Sequence, residues 1–180
     1  MNKDSHIKSN IIIFLLFIPA GYITYLFHEF GHWIIGEVLG NDMVYSLNGV
    51  YPRNGQFLNS TDSLFVNLGG PIFTILQSVL VLLIIEKFKT IYAYPFIFFP
   101  VFTRFFTLIL GGFSQQDEAK ISLALDIGTY TFTIIVLLIL LLLLLKSSYR
   151  LKIGLNYNCY FMAISTACLM LVIQTYKWIG

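Results

Sequence analysis

Two histidines stand four residues apart in His28-Glu29-Phe30-Gly31-His32, with a glutamate directly after the first. On an α-helix, residues four apart lie about 40° apart around the axis and one turn apart along it. Both imidazoles then reach one Zn2+, which takes histidine nitrogen at about 2.0–2.1 Å. Glu29, about 100° round the helix, addresses a water held by that metal as general base. The competing reading is a set of ordinary polar residues at a helix interface. That reading is costly, because the motif sits in an apolar block and ionisable groups inside a membrane mark function by default. The chain has 3 histidines, and His6, in the polar N-terminal stretch, is expected to be solvated.

A zinc site needs a third protein ligand, and depth in the membrane selects it. The histidines lie near the end of a first apolar span, about 5–10 Å before it surfaces. If that span goes up, the second comes down and the third goes up again. The start of the second and the end of the third therefore share the face of the histidines. Glu86, at the far end of the second span, is about 24 Å away by helix rise and is excluded. Glu37 points elsewhere, about 140° round from His32. Asp117 and Glu118 follow the third span on the correct face. Asp117 is the expected ligand and Glu118 the alternative, with Asp42, Asp62 and Asp126 weaker. Asp117 also has a purely structural reading, since Ser114-x-x-Asp117 resembles a capping box.

The elements that must hold these groups are membrane helices. Of 180 residues 57% are hydrophobic and 11% charged, and the mean hydropathy is +0.79. A water-soluble domain needs a polar shell that this composition lacks. The expected architecture is all-α, a single polytopic domain of about five transmembrane helices over residues 11–35, 64–85, 91–110, 127–145 and 157–176. Pro19 is a candidate kink in the first. Between the first two, turn residues from Asn41-Asp42 to Asn59 predict a short β-hairpin-like segment at the membrane surface. That segment suits strand addition by an unwound substrate, or a plain surface loop. Gly111-Gly112 breaks the third span, and an amphipathic helix follows to about Asp126.

The formal charge of +2 is too small to suggest nucleic-acid binding. Cys159 and Cys168, nine apart, fall on nearly opposite helix faces and cannot bridge each other. Lys3, Lys8, Lys87, Lys89, Lys146, Arg150 and Lys152 lie on one side of the bundle, against Arg53, Lys120 and Lys177 on the other. That asymmetry predicts a cytoplasmic N-terminus and an extracytoplasmic site. Arg104, inside the third span, is expected to pair with a carboxylate or to snorkel outward.

In combined order, H-E-x-x-H in one membrane helix, Gly69-Gly70-Pro71 opening the next and Asp117-Glu118 after a third, the sequence resembles the site-2 protease family over residues 20–128. The resemblance implies an intramembrane zinc metalloendopeptidase with a three-helix core, acting on membrane-anchored proteins. It implies Zn2+ held by His28, His32 and Asp117, with Glu29 as the catalytic base. It also implies substrate contacts at Gly70, Pro71, Thr74 and Gln77. Thr74 stands where many relatives carry an asparagine, and Glu118 where glycine usually follows the aspartate. The expected partners are a membrane-embedded protein substrate and the lipid bilayer, in a multi-pass cell-membrane setting. A proteolytically inactive relative that binds or chaperones a membrane partner is the alternative. A prenyl-protein peptidase usually adds a glutamate ligand on a later helix, and the chain has no clear second motif of that kind.

Overall fold

The computed structural model describes residues 3–46, 49–110 and 116–179, with side chains for 11–46, 49–109 and 116–178. The expectations for Asn48, Gly111-Gly112 and Ser114 lie outside these described residues, as does the one for the His6 side chain. Among them the chain runs α1 (Lys3–Val38), β1 (Met43–Ser46), β2 (Gly49–Pro52), α2 (Asp62–Phe88), a 3-10 turn (Ile91–Ala93), α3 (Pro95–Leu110), α4 (Asp117–Ala124), α5 (Thr131–Leu151) and α6 (Leu155–Ile179). Five helices are long and apolar enough to cross a membrane, over Ile11–Val38, Asp62–Phe88, Ile91–Ile109, Thr131–Leu151 and Leu155–Trp178. The protein is a polytopic membrane helix bundle with one small antiparallel hairpin after α1, pairing Met43 with Pro52 and Ser46 with Gly49.

Two boundaries, both of the fourth span, differ from expectation by more than three residues, for physical reasons. The fourth span begins at Thr131, not 127, because Asp126 and Gly128 take positive φ and turn the chain after α4. It then continues past the leucine run to Leu151, since Lys146, paired with Glu86, and exposed Arg150 place their charges outside the core while their backbone stays helical. Lys152, also at positive φ, ends it. Pro19 lies within α1 without ending it.

The core forms where α1, α2, α3, α5 and α6 meet. Phe17, Ala20, Ile85, Tyr94, Ile97, Phe99 and Leu140 are fully buried there, and Phe17, Phe98 and Phe161 stack edge-on or tilted at 5.3–5.9 Å. Lys146 pairs with Glu86 at 2.7 Å, tying the end of α5 to the end of α2, far from the histidines.

α1 and α2 touch backbone to backbone beside the His-Glu motif. A Cβ built on Gly31 would come within 2.8 Å of the Gly69 carbonyl carbon, and one on Gly69 within 2.6 Å of that of Gly31. Small residues permit this approach, which in lipid is the main source of helix–helix packing energy.

The hairpin is fastened to α1 and α2. The Tyr45 hydroxyl donates to the Leu26 carbonyl at 3.0 Å, and Met43 N–H to Glu37 at 2.9 Å. Buried Asp62 accepts from Asn41 Nδ2 at 3.0 Å. Cys159 is exposed and Cys168 buried, both as free thiols.

Candidate metal centre

α1 carries His28 and His32 into the bundle on one face, both buried. α4 begins at Asp117, and its carboxylate arrives opposite them. His28 Nε2 and His32 Nε2 lie 3.0 and 3.1 Å from the same Asp117 oxygen, Oδ2, and 3.2 Å from each other. Among the described residues these three form a cluster able to hold a metal ion. Tetrahedral ligands bound at about 2.0–2.1 Å stand about 3.3–3.4 Å apart, so the triangle is within a few tenths of an ångström of a zinc ligand set.

Hydrogen bonding at the far side of each ring sets its tautomer. His32 Nδ1 lies 2.7 Å from the Val66 carbonyl, which only accepts, so the proton is on Nδ1 and Nε2 presents a lone pair. His28 Nδ1 lies 2.9 Å from Thr74 Oγ1, whose own hydrogen goes to the Gly70 carbonyl at 2.9 Å. Thr74 therefore accepts from His28 Nδ1–H, and His28 Nε2 also presents a lone pair. Two lone pairs and a carboxylate oxygen pointed at one another repel unless a cation sits among them. Such outer hydrogen bonds are what fix histidine ligands on a metal.

A second group competes at His28. Arg104 Nη2 lies 3.0 Å from Nδ1, and a guanidinium only donates. Donation from Arg104 would place the ring proton on Nε2, the opposite of what Thr74 requires. The two contacts cannot both be hydrogen bonds at once, and metal on Nε2 is compatible only with the one to Thr74. Arg104 is drawn the other way by Glu118, whose Oε1 lies 2.7 Å from Arg104 Nε.

The carboxylates thus separate by role. Asp117 faces the histidines through Oδ2, while its Oδ1 lies 3.4 Å from Lys120 Nζ. Glu118, the alternative ligand, is fully buried but turned to Arg104. Asp42 pairs with exposed Arg53 at 2.8 Å, and Asp62 is held by Asn41 and Asn59. Glu29 is partly exposed, and among the described residues its carboxylate has no hydrogen bond or ion pair.

The residues expected on a substrate path, Gly70, Pro71, Thr74 and Gln77, are all buried. Their places support another role. A Cβ on Gly70 would fall within 2.6 Å of His28 Nε2 and overlap both imidazoles, so Gly70 makes room for the ligand pair. Thr74 orients His28. Gln77 donates to Thr24 Oγ1 and the Phe96 carbonyl, each at 3.0 Å, joining α2 to α1 and α3. Seating the imidazoles is a role that spacing alone did not reveal, although the paired glycines one helix away were its signal. Comparison with protein-family models, with curated proteins and with solved structures returned no match.

Proposed function

We propose that the protein is an intramembrane zinc-dependent endopeptidase of the site-2 protease kind, cleaving membrane-anchored proteins. The observation that carries this reading is the convergence of two imidazole Nε2 atoms and one carboxylate oxygen at 3.0–3.2 Å. His28, His32 and Asp117 would hold the zinc. When bound, it would supply Lewis-acid polarisation of a peptide carbonyl and lower the pKa of a water towards about 7.

The chain's own groups do the rest. Thr74 and Val66 keep both imidazoles in the ligating tautomer. Glu29, without a hydrogen bond or ion pair among the described residues and on the same helical turn, accepts the proton of the attacking water and delivers it to the leaving nitrogen. One water is consumed, the C–N bond breaks, and an acid and an amine form. His32 lies six residues before the end of the first span at Val38, about 9 Å by helix rise, a depth that water reaches from the surface. Lys120, half exposed, lies 3.4 Å from Asp117 Oδ1.

The test is Glu29→Gln in purified protein, with zinc content and cleavage of a single-span membrane peptide panel measured together. The reading requires wild-type cleavage, full zinc in the variant and no cleavage by it. Undiminished cleavage by Glu29→Gln refutes the assigned base, and wild-type protein that carries zinc without cleaving any panel member favours a binding protein instead.

A further inference from the structure

We propose that Glu118 and Arg104 form a buried positioning pair that keeps Asp117 and His28 competent to bind metal; this rests on the zinc reading above. Arg104 is a cation placed in a membrane helix, and Glu118 is fully buried beside it. Neither is needed as a ligand, so their burial asks for another account.

The geometry supplies it twice. First, α4 has only eight residues, too few to hold its own orientation in isolation. Asp117 and Glu118 are adjacent on its first turn and project about 100° apart. When Glu118 is held by Arg104 on α3, Asp117 is turned towards α1 and the histidines. Gln116, hydrogen-bonded to Thr107 of α3, fixes the same end of the helix. Second, Arg104 reaches two acceptors, Glu118 through Nε at 2.7 Å and His28 Nδ1 through Nη2 at 3.0 Å. Donation to His28 shifts its proton to Nε2 and removes a ligand lone pair. Glu118 holds the guanidinium by charge. Its oxygens have no aligned hydrogen-bond donor among the described residues, so the guanidinium can turn without breaking one. Loss of Glu118 therefore does harm at both ends: Asp117 loses its orientation, and Arg104 is left with His28 as its partner.

The test is Co2+ and Zn2+ affinity by chelator competition, with the visible Co2+ spectrum, on intact protein in detergent or nanodiscs. Wild type, Glu118→Gln, Arg104→Lys and Arg104→Gln/Glu118→Gln are compared. Thermal unfolding of the metal-free forms controls for folding. Glu118→Gln should bind metal about 10–100-fold more weakly, the range usual for partners behind metal ligands. Its Co2+ spectrum should lose four-coordinate intensity. The double variant should be weaker than wild type yet no weaker than Glu118→Gln, because the stray guanidinium is gone. Arg104→Lys, which keeps the charge for Glu118, should retain most of the affinity.

Glu118→Gln within twofold of wild type overturns the proposal, as does a double variant clearly weaker than Glu118→Gln. If Glu118→Gln fails to fold, the neutral double variant carries the test, and wild-type affinity there overturns it. A wild-type protein that binds no metal overturns the zinc reading itself, and the positioning role with it. Metal-binding wild type with an unaffected Glu118→Gln sinks only the pair.

Discussion

Replacing Gly70 by alanine adds one methyl group at the back of the candidate metal centre. That Cβ would lie 2.6 Å from His28 Nε2 and nearer still to His28 Cε1 and His32 Nε2. Ordinary carbon contacts are about 3.5–4.0 Å, so the rings or α2 must give by roughly 1 Å. Metal–ligand distances tolerate about 0.2 Å, and the rings cannot move that far while keeping their bonds to Thr74 and Val66. Overpacking of this kind costs about 1–3 kcal/mol, and if it is relieved at the ligands it lowers zinc affinity about 5- to 150-fold. Gly154→Ala is the control, since nothing lies within 4 Å of a Cβ there. Chelator competition on both variants, with thermal melts of the metal-free proteins, reads the effect. Wild-type zinc affinity in Gly70→Ala would mean that no ion shares those two nitrogens.

The remaining predictions follow from the same contacts. Thr74→Val should weaken zinc binding about 10–100-fold while Thr74→Ser restores it, by chelator competition, because only the hydroxyl accepts from His28 Nδ1–H. Asp117→Asn should strip zinc from the purified protein, measured as metal per chain, whereas Asp62→Asn should leave it bound because Asp62 is engaged with Asn41 and Asn59. Gly31→Leu should destabilise the bundle by more than about 3 kcal/mol in a detergent-based unfolding assay, since the new side chain meets the Gly69 backbone and Phe73.

The membrane architecture was readable in the chain because apolar runs of span length have few other uses. The hairpin was readable because its turn residues cluster between two such runs. Counting span directions brought Asp117 to the depth of His28 and His32, and the described geometry places it there. Side-chain direction was less legible. Asp117 and Glu118 are one residue apart, and depth does not distinguish them; the rotation of α4 and the charge on Arg104 do. Gly70 and Thr74 are expected as substrate contacts from the sequence; that they also pack behind the imidazoles depends on how closely α1 and α2 cross, a distance no single helix encodes. The limits of α5 were missed because Lys146 and Arg150 look like a connector in sequence but remain helical.

Zinc K-edge X-ray absorption on purified wild-type protein tests the shared ion most directly. One zinc per chain is expected, with two imidazole nitrogens and a carboxylate oxygen in its first coordination sphere, and loss of that signature in His32→Ala. Wild-type protein free of zinc, or a zinc signal indifferent to the loss of His32, would contradict it.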